Sequence, residues 1–117
     1  MRAALLFLGL ASCLSEEKYT NDYVAAECKY ALTCYDDATL AFYDWASEDD
    51  CVAVRGPQFA GEVQNCVLDP KAGHECLKQL KVLACPGEGE DPELPAICAN
   101  AFPNCDGTTS GPPDTDT

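Results

Sequence analysis

The sequence predicts an all-α protein: a small disulfide-stapled helical bundle followed by a disordered C-terminal tail. Three observations carry that expectation. Apolar residues recur at three- and four-residue spacing, with no strand-type alternation and no hairpin dipeptide between apolar runs. Capping side chains and prolines recur where helices would begin, as in Ser47-Glu48-Asp49-Asp50, Asp69-Pro70 and Asp91-Pro92. Eight cysteines are spread over residues 28–105, and an even set in a short exported chain reads as a framework of disulfides. Residues 21–105 are expected to form one domain with a modest core.

The first helix is expected to begin near Thr20 or Asn21, either of which can cap it, and Val24, Cys28, Ala31 and Tyr35 form its stripe. Cys34 lies on a different side from Cys28, so this helix can be stapled to two neighbours. Asp36-Asp37 offers a break and a new cap before residues 38–45, where Ala41 and Trp45, and Ala38 and Phe42, stand one turn apart. Ser47 and the three acids after it start a helix leading into Cys51-Val52-Ala53-Val54. Gly56-Pro57 is expected to end that helix and to open another over residues 58–67, with Phe59, Val63, Cys66 and Val67 on one face. After Asp69-Pro70 comes the clearest helix, with the stripe Cys76, Leu77, Leu80, Leu83 and Ala84; Cys85-Pro86-Gly87 is expected to terminate it. Asp91-Pro92 opens a last short helix that presents Ile97, Cys98, Ala101 and Phe102.

The N-terminus supplies an address. One positive charge at Arg2 precedes an apolar run, residues 3–11, much shorter than the ~20 residues of a spanning helix, which makes residues 1–12 a secretory signal peptide. Leu10-Ala11-Ser12-Cys13 resembles the bacterial lipobox at all four positions, which implies that Cys13 is acylated and becomes the new N-terminus; residues 13–20 then form the lipidated end and a short polar stalk. Each buried methylene of an acyl chain adds about 0.8 kcal/mol of membrane binding. Leu14, standing where an Asp would retain the protein at the inner membrane, resembles the outer-membrane case. The alternative is an ordinary signal peptide and a secreted protein.

With Cys13 set aside, Cys28, Cys34, Cys51, Cys66, Cys76, Cys85, Cys98 and Cys105 are expected to form four disulfides, in any of 105 pairings. The gaps between them hold five, sixteen, fourteen, nine, eight, twelve and six residues, none a metal-knuckle spacing, so no metal and no cofactor is expected. Twenty acidic residues against seven basic ones predict a surface that repels nucleic acid and phospholipid headgroups. The acidic clusters at residues 36–37, 48–50 and 88–91 are rich in hard oxygen ligands but lack the EF-hand pattern. After Cys105 the segment 106–117 has no large apolar residue and is expected to be disordered.

The chain as a whole resembles the small cysteine-rich lipoproteins of myxobacteria and related deltaproteobacteria. The lipobox carries the resemblance together with YDWASEDDC at 43–51, CVLDPKAGHECLKQLKVLAC at 66–85 and LPAICANAFPNC at 94–105. It implies an envelope location and this fold, and no catalytic residues. The expected function is that of a lipid-anchored cell-envelope protein, at the outer membrane, acting by binding or as a structural component and not as an enzyme. Its partners are the membrane, through the anchor, and an unidentified protein or envelope component; Tyr35, Phe42, Tyr43 and Trp45 are the candidate partner surface, with core packing as the alternative. The competing expectation is a small secreted hydrolase in which His74, the only histidine, pairs with Asp69 or Glu75 as general base.

Overall fold

The computed structural model describes residues 14–105; the signal peptide at 1–12, Cys13 and the tail at 106–117 lie outside the described residues. Helix α1, Glu16–Cys34, begins where Ser15 accepts a hydrogen bond from the Lys18 N–H (3.1 Å) and Glu16 and Glu17 sit at the positive helix end. Residues 15–20, expected as a stalk with a cap at Thr20 or Asn21, are therefore the cap and opening turns of α1. Packing explains the earlier start, because Tyr19 and Tyr23 are fully buried and draw this end of the helix onto the core.

A short helix α2, Asp37–Tyr43, is capped by Asp36, whose Oδ1 accepts from the Thr39 N–H at 2.8 Å. Hydrogen bonding to Thr39, through its side chain and then its N–H, holds the Asp36 carboxyl below the usual aspartate range. None of α2 is buried, and Ala38, Ala41 and Phe42 face solvent. The chain turns at Asp44 (φ 64°), in the left-handed region that Asp tolerates. That turn, closed by Trp45 N–H to Leu40 C=O (2.9 Å), swings Trp45 into the core at 3% exposure.

Helix α3, Glu48–Glu62, starts on the Ser47 cap and runs without interruption through Gly56-Pro57, where the sequence predicted a boundary. Two local features permit it. A residue before proline resists helix chiefly through its Cβ, which Gly56 lacks, and the carbonyl deprived of a donor by Pro57 belongs to solvent-exposed Ala53. Phe59, Val63 and Cys66 are buried as expected, but Val67, beyond the helix, is exposed.

Helix α4, Pro70–Lys81, has Asp69 Oδ1 accepting from the Lys71 and Ala72 N–H groups and Pro70 at its first position. It stops at Lys81, before the Cys85-Pro86-Gly87 terminator, as the N–H groups of Val82 and Leu83 tighten onto the carbonyls of Gln79 and Leu80. Leu83 is consequently half-buried and Ala84 exposed. A Cβ at Gly73 would lie 3.1–3.3 Å from Leu68, Tyr19 and Leu14, so this glycine sets how closely α4 approaches α1. The last element is a 3₁₀ turn, Ala96–Asn100, and not a helix opened by Asp91-Pro92. Pro92 and Pro95 bias the residues before them toward extended backbone and remove two donors, leaving room for one tight turn after Pro95.

Helix α1 packs on α3 and α4, and the 3₁₀ turn packs on α4. At the centre Tyr23 stacks on Phe59 (ring centroids 4.6 Å apart), with Tyr19 and Phe102 meeting edge to face at 5.7 Å. All eight expected cysteines are paired: Cys28 with Cys51 joins α1 to α3, Cys76 with Cys98 joins α4 to the 3₁₀ turn, Cys66 with Cys105 ties the α3–α4 linker to the segment after the 3₁₀ turn, and Cys34 with Cys85 closes the end of α1 onto the segment after α4. The described chain is thus an all-helical, four-disulfide domain.

Candidate functional site

The aromatic residues proposed as a partner surface separate by depth. Trp45 belongs to the core, and Tyr43 stacks on it at 4.7 Å; Phe42 meets Tyr43 edge-on at 5.1 Å and is 79% exposed. Tyr35 is half-buried against Tyr30, and burial holds its hydroxyl above the usual tyrosine range. Only Phe42, with the edge of Tyr43, offers an exposed aromatic surface.

His74 is exposed on α4. Neither anticipated partner engages it: Asp69 caps α4 through the two amides named above, and Glu75 Oε2 accepts from Gln79 Nε2 at 3.0 Å. The acidic clusters are equally occupied with local structure. Asp36 caps α2, Glu48 to Asp50 follow the Ser47 cap, and Glu90 Oε1 accepts from the Gly87 N–H at 3.1 Å. Among the described residues no group of three or more His, Cys, Asp or Glu is placed to hold a metal ion, and no helix is long and apolar enough to cross a membrane.

Two polar features escaped sequence reasoning. The first lies inside. Arg55, 2% exposed, donates from Nε to Glu27 Oε1 (3.1 Å), from Nη2 to Glu27 Oε2 (3.4 Å) and from Nη1 to Gln58 Oε1 (2.9 Å), with Glu62 Oε2 at 4.0 Å and the Phe59 ring centroid 6.0 Å away. Burial raises the Glu27 carboxyl above its ordinary value despite the opposing pull of Arg55. The signal was present in the sequence: Arg55 falls between Cys51 and Phe59 on one i, i+4 stripe, and Glu27 one turn after Tyr23.

The second is on the surface. A groove between α1 and α4, with a larger lobe of about 1010 Å³ beside Leu14 and a smaller one of about 660 Å³ toward Cys34, is lined by Lys18, Lys29, Lys71, Lys78 and Lys81. With Arg55 buried, these are all the solvent-facing Lys and Arg side chains among the described residues. Three carboxylates share the lining. Asp22 is paired with Lys18 at 3.0 Å, Glu75 is bonded to Gln79, and Glu48 sits in the first turn of α3. The groove floor is apolar, from Leu14, Leu77, Leu80 and Leu83, and Val82 stands 80% exposed at its edge. Net acidity therefore conceals a gathering of the solvent-facing cations along one groove.

Comparison with protein-family models, with curated proteins and with solved structures finds no match to this chain.

Proposed function

We propose that this chain is a lipid-anchored protein of the cell envelope, tethered through an acylated Cys13 and acting by binding or as a structural component rather than by catalysis. The observation that carries the reading is the pairing of all eight domain cysteines in four bridges, which leaves Cys13, in its lipobox-like setting, with no intramolecular partner. The bridges themselves belong to an extracellular or envelope compartment. The position of Leu14 is a second support. It packs on the core beside Gly73, so an anchor one residue earlier holds the folded domain at the bilayer with almost no spacer. A resemblance to the small cysteine-rich lipoproteins of myxobacteria accords with this reading, as does outer-membrane sorting with Leu14 after the cysteine. Phe42, exposed on the outlying helix α2, is the favoured contact for a protein partner.

Intact mass spectrometry of membrane-extracted protein, with and without reduction and alkylation, tests the reading. The expected species begins at Cys13, carries acyl chains and takes up alkylating reagent only after reduction. An unacylated N-terminus would overturn the anchor, and a free thiol among the other eight would overturn the pairing.

A further inference from the structure

We propose that the lysine-lined face of the α1–α4 groove lies against the anionic headgroups of the bilayer that holds the anchor, so that the domain is oriented and not merely tethered. This rests on the anchor reading above and adds to it which face meets lipid.

Three features of the structure converge. First, the solvent-facing cations of the described residues all line this groove: in the lobe beside Leu14, Lys18, Lys71, Lys78 and Lys81 stand against Asp22 and Glu75, with Glu16 and Glu17 in the adjoining first turn of α1, whereas Asp36, Asp37, Asp44, Asp49, Asp50 and the 88–93 loop carry negative charge elsewhere. Second, the tether ends at this face. Leu14 lines the larger lobe, Cys13 precedes it directly in the chain, and only two residues separate Cys13 from the start of α1. A domain held that closely must present surface near the start of α1 to the bilayer. Third, the lining has the layered chemistry of an interface. Val82 and Leu14 supply apolar surface beside Lys71, Lys78 and Lys81, whose methylene stems can lie along it with the ammonium groups at headgroup depth.

Charge range decides between orientations. Exposed charges are screened beyond about 8 Å at physiological ionic strength, and a helix with its side chains is about 10 Å across. Asp22 and Glu75 share the face of the lysines but are engaged by Lys18 and Gln79, and Glu16 accepts from the Leu68 N–H; carboxylates on the far side of a helix layer are too distant to cancel the attraction that remains, while with the molecule inverted they would face the anionic surface directly. Expectation from net charge alone is headgroup repulsion; the gathering of cations replaces it with attraction at one face. The acidic segment 106–117 is the competing occupant, and it is addressed by the test.

The acylated full-length mature protein is reconstituted in vesicles of phosphatidylcholine alone and of equimolar phosphatidylcholine and phosphatidylglycerol, and its lysines are labelled with an amine-specific reagent and read by mass spectrometry. Lys18, Lys71, Lys78 and Lys81 are expected to react about fivefold more slowly on the anionic vesicles, with Lys29, in the lobe away from Leu14, protected least. The difference should vanish near 1 M salt, where screening acts within about 3 Å. K71Q/K78Q, at two exposed positions, should restore much of the Lys18 reactivity. Equal reactivity on both vesicles overturns the proposal and leaves the anchor standing. Slow labelling already in neutral detergent overturns it in favour of the tail or a second copy, which deletion of 106–117 separates. Extracted protein without acyl mass overturns the anchor reading and this one with it.

Discussion

Replacing Arg55 with methionine should steepen the domain's loss of stability as pH rises. Arg55 and Glu27 are each 2% exposed, and Arg55 is the cation that faces Glu27. In R55M the Glu27 carboxyl stays buried with no counter-charge, so folding must either carry that charge or bind a proton. A buried carboxyl raised above its unfolded value binds more protons in the native state, so stability is fully present below the ordinary value of 4.5 and is lost as pH rises toward the folded value. The loss runs at about 1.4 kcal/mol per pH unit. It ends once the folded value is reached, and its total falls within the ~3–5 kcal/mol for breaking a buried ion pair. Because burial already raises Glu27 in the parent protein, some decline is expected there too, and R55M should steepen it. Removing both charges in E27L/R55M should recover most of the loss, since apolar side chains of similar volume satisfy the same site. Urea unfolding of the oxidised protein at pH 5 and pH 7, followed by far-ultraviolet circular dichroism, measures both effects. An R55M slope no steeper than the parent's, or a double variant as unstable as the single, would refute the reasoning.

Further outcomes follow from the bridges, the glycines and the caps. C34A/C85A opens a 51-residue loop, or about 40 residues by the shorter path through Cys28–Cys51, and either value gives a loss of about 4 kcal/mol in denaturant unfolding. C76A/C98A spans only 22 residues but should cost at least as much, because this buried bridge also accepts the Tyr19 hydroxyl at 3.2 Å. Gly61→Ala, with open space around its Cβ, should raise stability by about 0.5–1 kcal/mol; Gly73→Ala, meeting the buried Tyr19 ring at 3.2 Å, should lower it despite the same gain in helix propensity, and thermal melts of the pair compare them. Ser47→Ala removes the acceptor of the Asp50 N–H and should cost about 1 kcal/mol, read by the same melts.

Three helix starts are legible in the sequence because they depend on a few neighbouring atoms. Asp36, Ser47 and Asp69 each cap the helix that their sequence context announces. Helix ends were less so. The boundary expected at Gly56-Pro57 is absent because the same glycine that signals a break also relieves the steric conflict with proline, a balance that only the burial of Arg55 and Phe59 on either side decides. Helix α1 starts earlier than the sequence predicts because Tyr19, in an otherwise polar stretch, sets its ring at a centre of the core. Side-chain partners across helices were the least legible, since an arginine on an apolar stripe announces burial but not that a glutamate 28 residues earlier meets it.

Composition misleads in a related way about the surface. Twenty acidic residues against seven basic ones describe a mean, and a mean predicts how a protein behaves at distances longer than its own charge pattern. A tethered domain works at contact distance, where the arrangement of charges governs. Lys18 and Lys29 lie eleven residues apart on one helix, about three turns, while Lys71, Lys78 and Lys81 advance along another at seven- and three-residue steps; each set keeps to a single face. Those spacings were readable in the sequence. That the two faces front one groove follows from Gly73, which brings α4 against Tyr19 and Leu14, and so from packing rather than charge.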